Sequence, residues 1–442
     1  MQKDKPRLKY LRQTICDLSG IRRTKGIRLK EGIKDVHQRE DKQFLEEKVS
    51  PYSLDMHSLC YPAYGDEAHE SILNLIGTEV FTVPDFNSLR EYAFVDEETM
   101  GVMCFIKNQD GSDSKFCPRT CLQKVINQYQ ELGFNIKAGF ENEFFLLNED
   151  LSGVDKTCYS SNIALDKSAK FLKESMEMLE KMDIDTWVYH SEQGTGQLEI
   201  SANYRDVMGA CDDILYMKEC LQAVANKHKK IATFLPKVFA DQAGSGCHVH
   251  MSIWDQTDQN LFINSENPSQ ISQIGLNFIA GIHKHLQGLT AIVNPTNISY
   301  KRMKSAQLAG YQCWGYSNKD ASIRVPQSYK KACTNVEVKI IDHCANPYLA
   351  LACILAAGLE GIKGGLQPPQ PVCIDPSQVL GLRALPFGVE ESVKEMQKDA
   401  KFFKEVLGEE LFNIFVNVRL MENEKMEGFG LEEQVKLLCE YY

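Results

Sequence analysis

Six side chains that can bind a divalent cation lie in four separate segments of the chain. They are Glu141, Glu143, Glu192, Glu199, His248 and Glu337. Carboxylate oxygens suit hard cations such as Mg²⁺ or Mn²⁺, and an imidazole adds a ligand that also accepts Zn²⁺. The sequence therefore predicts a site with metal chemistry, provided that the fold brings the four segments together.

The spacing of these residues indicates that strands position them. Glu141 and Glu143 are two residues apart, as are His248 and His250, and alternate residues of a strand project from one face. Like charges on one face repel each other unless a cation lies between them. Two alternatives stay open: an exposed strand face also explains the carboxylate pair, and a strand histidine can serve only as a structural hydrogen-bonding residue.

The elements around these residues predict two domains. Before residue 110 the chain contains short strand-like runs broken by turns, which indicate a small mixed β domain. After it, amphipathic helices alternate with strand material. In this second part, one predicted helix begins at Pro118, and three more cover 170–182, 207–234 and 271–289. We predict an α+β fold with domains at 1–112 and 113–442, the second with helices packed on a mostly antiparallel sheet.

Composition excludes several functional classes. The chain has 442 residues, a net charge of −11 and no long Lys/Arg-rich block, so nucleic acid is not an expected partner. Its 15 cysteines form no CxxC pair, and no apolar leader follows Met1, which favours a reducing cytoplasm. The apolar run at 348–359 is shorter than the ~20 residues of a membrane-spanning helix. Flanking Asn346-Pro347 and Gly364-Gly365 predict a buried helix instead.

Six motifs extend over most of the chain. They are GxExEFF at 139–145, ExGxxQxE at 192–199, GSGxHVH at 244–250, NPxxxSYKR at 294–302, NxxASIRVP at 318–326 and VEVKxxDxxANPYLA at 336–350. This succession resembles the class I glutamine synthetase superfamily. The resemblance implies an N-terminal β-grasp domain, a catalytic-type domain, and a homo-oligomer of twelve subunits in two stacked hexameric rings. It also implies a reaction in which ATP phosphorylates the γ-carboxylate of glutamate and ammonia displaces the phosphate.

The resemblance also implies a role for each matching residue. One Mg²⁺ or Mn²⁺ ion would be held by Glu143, Glu192 and Glu199, and the other by Glu141, His248 and Glu337. The nucleotide would lie beside His250, Ser252 and Asn335. The amino-acid substrate and the phosphoryl group would be surrounded by Gly244, Arg302, Lys319, Arg324 and Lys339.

Several positions depart from the family's pattern. The flap segment KRMKSAQLAGYQCWGYS contains no Asp or Glu, and Gln307 or Leu308 aligns with the family's flap glutamate. Lys319 and Lys339 replace arginines, and lysine lacks the planar fork that grips a phosphoryl group. Asn335 stands where an ATP-contacting arginine is common. These changes predict a vestigial Mg²⁺ or Mn²⁺ site, impaired ATP binding and loss of ligase activity.

The interpretation that accounts for these changes is a catalytically inactive protein of this superfamily. The altered flap and intact core motifs resemble the lengsin group of the vertebrate lens. That resemblance implies a structural or chaperone-like role with the intermediate filament proteins vimentin and phakinin in the cytoplasm of lens fibre cells. Two alternatives remain: an ATP-dependent γ-glutamyl ligase with a different amine substrate, and a sensor that binds metal or nucleotide without turnover.

Overall fold

Two β-sheets organise the computed structural model, which describes residues 8–65, 70, 75, 77–156, 158–305 and 310–442. The first sheet contains β1 (Leu8–Cys16), β2 (Arg22–Ile33), β3 (Tyr52–Asp55), β4 (Glu79–Pro84), β5 (Arg90–Glu91) and β6 (Thr99–Asn108), with α1 (Arg39–Lys48) between β2 and β3. The strand order is β2-β1-β6-β4-β3, and β5 pairs with β6. Strands β1 and β6 are parallel and the other pairs are antiparallel, so this is a mixed sheet.

The second sheet carries the predicted ligands. Its strands are β7 (Asn135–Asn148), β8 (Thr186–Ser191), β9 (Gln197–Ala202), β10 (Arg205–Asp206), β11 (Lys230–Thr233), β12 (Val249–Trp254), β13 (Trp314–Tyr316), β14 (Ile323–Val325) and β15 (Val336–Val338). The order is β13-β14-β15-β12-β7-β9-β8, with β10 and β11 also paired to β7. Every pair except β13 with β14 is antiparallel. The predicted α+β class with a mostly antiparallel second sheet is therefore confirmed.

Helices pack against this sheet and contribute many of the buried apolar residues of the core. They are α2 (Pro118–Gln130), α3 (Asn162–Lys181), α4 (Val207–Lys227), α5 (Gln273–Val293), α6 (Asn297–Ser305), α7 (Pro347–Gly364), α8 (Val389–Lys398), α9 (Ala400–Leu407), α10 (Glu409–Glu427) and α11 (Leu431–Leu438). Helices α5 and α7 approach closely because Gly281 and Gly361 face each other's backbone. A Cβ on Gly281 would lie 1.9 Å from the Ala357 carbonyl oxygen. A larger residue there would force the two helices apart.

The apolar helix α7 agrees with its prediction. The Asn346 side chain accepts hydrogen bonds from the Tyr348 and Leu349 N–H groups at its start, and Gly365 ends it with a φ of 58°. By length and composition alone this helix is able to cross a membrane, but 72% of it is buried inside the protein. A core helix passes the same test, so α7 is weak support for a membrane span.

One predicted helix was too long, and two strands, β8 and β11, were not predicted. The helix expected at 207–234 ends at Lys227, because Lys229 adopts a φ of 54° and the chain then forms β11 against β7. The apolar residues after Lys227 that extended the helical pattern belong to this strand. Strand β8 was also not predicted, although it forms the edge of the sheet beside β9.

A buried charge network joins the two sheets. The Arg119 guanidinium on α2 donates to Asp85, at the end of β4, over 2.6 Å, and it also contacts Asp212 on α4. Tyr348 on α7 donates its hydroxyl to Asp212 over 2.6 Å. The network fixes the first sheet to the helices of the second. The predicted boundary between residues 112 and 113 stays a prediction.

Candidate functional site

Cross-strand register brings the predicted ligands together at the centre of the second sheet. Glu143 on β7 lies directly opposite Glu199 on β9. His250 on β12 lies opposite Glu337 on β15, and the Glu141 N–H donates to the His248 carbonyl oxygen over 2.9 Å. Residues opposite each other in a sheet are close enough for their side chains to interact. Four segments far apart in sequence therefore contribute to one site.

A glycine-rich loop before β12 fits under the carboxylates. The Gly246 N–H donates to Glu143 Oε2 over 2.9 Å. A Cβ on Gly246 would lie 2.5 Å from His248 Nε2 and 2.6 Å from Arg302 Nη2, so only glycine fits without displacing them. Gly244 is equally restricted, because a Cβ there would lie 2.3 Å from the Pro236 carbonyl oxygen.

The first cluster consists of His190, Glu192 and Glu199, whose ligand atoms all lie within 4.8 Å of one another. His190 Nε2 lies 2.9 Å from Glu192 Oε1 and 3.8 Å from Glu199 Oε2. The hydrogen bond with Glu192 raises the pKa of His190. His190 was missing from the predicted ligand set. Its spacing of two residues from Glu192 is the same signal that identified Glu141 and Glu143, but strand β8 was not predicted.

Like charge accumulates around this cluster. Burial, together with the charges of Glu141 and Glu143, raises the pKa of Glu199 to about 8. Glu143 belongs to neither group of three, but it lies opposite Glu199 and is fixed by the Gln197 side-chain amide, which donates to its Oε2 over 3.3 Å. A divalent cation would relieve this repulsion between buried carboxylates.

The second cluster consists of Glu141, His248 and Glu337, as predicted for the other metal, again with ligand atoms within 4.8 Å. His248 Nδ1 lies 3.0 Å from Glu141 Oε2 and 3.6 Å from Glu337 Oε1. Glu337 is also contacted by Arg324 Nη1 at 2.7 Å and by Lys339 Nζ at 3.2 Å. Burial opposes the ionisation of Glu337, but the charges of Lys339 and of the neighbouring histidines outweigh it and lower its pKa to about 2.

The residues predicted to lie beside the nucleotide form a group next to the second cluster. His250 Nε2 lies 3.0 Å from Glu141 Oε1, and its Nδ1 lies 2.8 Å from Asn335 Oδ1. Burial disfavours the His250 imidazolium, but the bond to Glu141 and the charge of Glu337 raise its pKa to about 9. Ser252 is buried and accepts a hydrogen bond from Trp254 Nε1 over 2.8 Å.

The predicted substrate residues fall into two groups. Arg302 is buried below the loop, where it contacts His248 Nε2 at 3.4 Å and donates to the Lys339 carbonyl oxygen over 3.2 Å. Lys319 instead lies exposed in the turn between β13 and β14. The ion pairs of Glu337 are with Arg324, Lys339 and the histidines, and none of the ion pairs in the described ranges includes Lys319. The flap positions Gln307 and Leu308 lie outside the described residues.

The donor set fits Mg²⁺ or Mn²⁺. Each cluster offers two carboxylates and one imidazole, and Glu143 adds a carboxylate between them. Hard oxygen ligands with a single nitrogen suit these cations better than soft ones. Cations held there would neutralise the negative charge of a transferred phosphoryl group.

Comparison with known proteins agrees with this geometry. The family described as "Glutamine synthetase, catalytic domain" matches residues 115–434. Type-1 glutamine synthetase 1 of Dictyostelium discoideum is 30% identical over 464 residues, which cover 100% of this chain and 91% of that protein. Glutamate–isopropylamine ligase of a Pseudomonas species is 33% identical over 307 residues, 66% of each protein.

A solved structure described as a novel glutamine synthase homolog has a TM-score of 0.85 at 23% identity and covers 100% of both chains, which shows the likeness of fold. The matched region contains all of the predicted ligands, both clusters and the glycine loop between them. The chain therefore belongs to the glutamine synthetase family.

Proposed function

We propose that the protein is an ATP-dependent and divalent-cation-dependent ligase that joins the γ-carboxyl group of glutamate to an amine other than ammonia. The observation that carries this proposal is the assembly of two ligand clusters around Glu143, with the acids and histidines of both in hydrogen-bond contact. Burying a group of carboxylates without a cation costs free energy. The retention of these carboxylates therefore favours a working cation site over a vestigial one.

The flap sequence supports the part of the proposal that names an amine other than ammonia as the substrate. An ammonium ion is best held by a carboxylate, and the flap sequence contains no acidic residue. A larger primary amine gains binding from its carbon chain and needs less charge from the flap. A relative that is 33% identical bears the name glutamate–isopropylamine ligase, which agrees with an organic amine as the substrate.

Residues of the second sheet have defined parts in this function. Glu143 and the first cluster hold the cation, while Gln197 and the Gly246 N–H fix the Glu143 carboxylate. Arg324 presents a guanidinium next to the second cluster, where it is suited to bind an anionic substrate group as well as Glu337. His250 and Asn335 form the rim beside it.

The test is an assay of phosphate release and of γ-glutamyl product mass with ATP, Mg²⁺ or Mn²⁺, glutamate and a panel of amines. The panel contains ammonia, methylamine, isopropylamine and polyamines. We expect turnover with at least one organic amine that exceeds turnover with ammonia. Glu199→Gln should reduce it by about 100-fold or more, because a cation ligand is lost. The exposed Glu266→Gln serves as the matched control and should retain activity. Absence of turnover with every amine of the panel would refute the proposal.

A non-catalytic scaffold role is the second candidate. It is favoured by the acid-free flap sequence and by the ion pairs that Arg324 and Lys339 form with Glu337. In this case the protein is a lengsin-like dodecamer of the lens fibre cytoplasm that binds vimentin or phakinin. Cosedimentation with those filaments, combined with an inactive amine panel, supports this candidate. Turnover together with absence of cosedimentation rejects it.

Assembly is a separate part of the proposal. Members of this family are typically oligomers, and we propose a dodecamer of two hexameric rings. Light scattering coupled to size-exclusion chromatography measures the mass directly. With a subunit of 50.1 kDa, a stable monomer or dimer at micromolar concentration would contradict this assembly.

A further inference from the structure

A cavity between four helices lies apart from both ligand clusters. It has a volume of about 660 Å³, which is within the usual range for sites that bind small molecules. Residues of α2, α5, α7 and α9 enclose it, and among the described residues that line it none belongs to a strand. The cavity is therefore separate from the cation clusters of the second sheet.

Part of the lining is apolar and includes an aromatic ring. Val125, Leu359 and Phe402 line the cavity, and each of these residues is at most 7% exposed. The Phe402 ring stacks on the His285 imidazole, with 3.8 Å between the ring centroids and 17° between the ring planes. Apolar and aromatic surface of this kind suits the flat body of a ligand.

His285 fixes this part of the lining. Its Nε2 lies 2.9 Å from Glu360 Oε2, and its Nδ1 contacts the Asp399 carboxylate. Glu360 also forms an ion pair with Lys284. These contacts join α5 to α7 and to the start of α9. Both carboxylates are therefore engaged by partners within the protein.

Three lysines from three different helices surround the cavity. Lys124 is on α2, Lys363 on α7 and Lys401 on α9, and all three are exposed. Within the described ranges none of the three forms an ion pair, and the same holds for one lining acid, Glu405. Three ammonium groups against one carboxylate make this a locally positive region on a chain whose net charge is −11. Such a region attracts anions.

We propose that this cavity binds a phosphate monoester carried on a flat apolar body. The apolar lining accepts the body, and the three lysines bind the phosphate. A phosphate monoester suits three lysines better than a carboxylate does, because it carries a charge of about −1.5 to −2 at pH 7 and offers three acceptor oxygens. Lysine is a common phosphate ligand in proteins. The inference does not depend on the proposed ligase function, since it uses no residue of either cluster.

The test is calorimetric titration of the full chain with naphthyl phosphate in the presence of EDTA. The probe combines a flat apolar body with a phosphate monoester. We expect binding that weakens as salt is added, because the lysines are exposed to solvent. Inorganic phosphate and naphthol should each bind about tenfold more weakly or less, because each offers only one of the two groups that the cavity accepts.

Charge variants show whether the probe binds at this cavity. Lys124→Gln, Lys363→Gln and Lys401→Gln should each weaken binding of the probe about two- to fivefold, and the triple variant about tenfold or more. All three positions are exposed, so these variants should fold. The matched control is the same triple substitution at exposed lysines of α3, which should bind like the wild type. The control positions are Lys167, Lys170 and Lys181.

A blocking variant tests the apolar part of the cavity without a change of charge. Ala356 is half-buried on α7 and lines the cavity, so the ring of Ala356→Phe should occupy it and weaken binding about tenfold or more. Circular dichroism shows whether this variant folds, and the lysine variants decide the question if it does not.

Four results would overturn the inference. They are no binding of the probe by the wild type, equal affinity of the triple lysine variant and the α3 control, equal affinity for naphthol and naphthyl phosphate, and wild-type affinity in a folded Ala356→Phe variant. These measurements do not involve turnover. An inactive amine panel would therefore reject the ligase proposal alone, and loss of this inference would leave the ligase proposal intact.

Discussion

Glu337 and Glu143 have opposite electrostatic surroundings in the second sheet, so neutralising them should have opposite effects on stability. Glu337 is fully buried and contacts Arg324 and Lys339 at 2.7 and 3.2 Å. Glu143 lies directly opposite Glu199, another carboxylate. In the metal-free protein at pH 9, above the pKa of about 8 that burial and the neighbouring acids give Glu199, Glu337→Gln removes an attraction and Glu143→Gln removes a repulsion.

The contacts determine the size of each effect. Removing one partner of a buried ion pair costs about 3–5 kcal/mol, and the lower end applies because the Arg324 side chain is 20% exposed and can reach water. We therefore expect Glu337→Gln to lower the free energy of unfolding by about 3 kcal/mol. Relief of directly opposed like charges contributes about 0.2–1 kcal/mol. The amide that replaces the Glu143 carboxylate retains an oxygen for the Gly246 N–H, so Glu143→Gln should stabilise by up to about 1 kcal/mol.

The assay is urea unfolding at pH 9 in excess EDTA, followed by tryptophan fluorescence and circular dichroism. Coincident fluorescence and circular dichroism transitions establish the two-state unfolding that conversion of midpoints into free energies requires. The control is Glu266→Gln, which makes the same chemical change at an exposed position and should leave the midpoint unchanged. If Glu337→Gln unfolds at the wild-type midpoint or above it, or if Glu143→Gln unfolds below it, the electrostatic reasoning about both clusters is wrong.

Two other predictions concern the glycine loop and a buried lysine. Gly246→Ala should weaken Mn²⁺ binding by about 10- to 100-fold, because its Cβ would lie 2.5 Å from His248 Nε2. Gly26→Ala has no atom within 4 Å of the added Cβ and should titrate like the wild type. Burial lowers the pKa of Lys218 to about 8 in the folded protein, whereas the pKa of an unfolded lysine is about 10.4. Between these two pH values the unfolded chain keeps the Lys218 proton and the folded protein has lost it. The free energy of unfolding therefore rises with pH in this range. From pH 7 to pH 9.5, the free energy of unfolding of the wild type should rise by about 2 kcal/mol relative to that of Lys218→Met, as measured by urea unfolding. A difference between the two proteins that does not change with pH would contradict this protonation argument.

Local pattern was sufficient for elements whose signals lie within the element itself. Helix α7 begins and ends where its Asn-Pro and Gly-Gly flanks predicted, because capping depends on residues within one turn. The helix predicted at 207–234 was too long because β11 forms only against β7, a strand more than 80 residues earlier in the chain. A periodicity argument cannot detect that partner.

The sequence by itself determined which residue types were available, and their spacing of two residues placed Glu141 with Glu143 and His248 with His250 on shared strand faces. It also determined the family, through motifs that the catalytic-domain match confirms. Only the tertiary structure decided that His190 joins Glu192 and Glu199, and that Lys339 rather than Lys319 contacts the acids. The reason is physical: cross-strand register results from packing of the whole sheet, so the neighbours of a buried charge are fixed by residues distant in sequence.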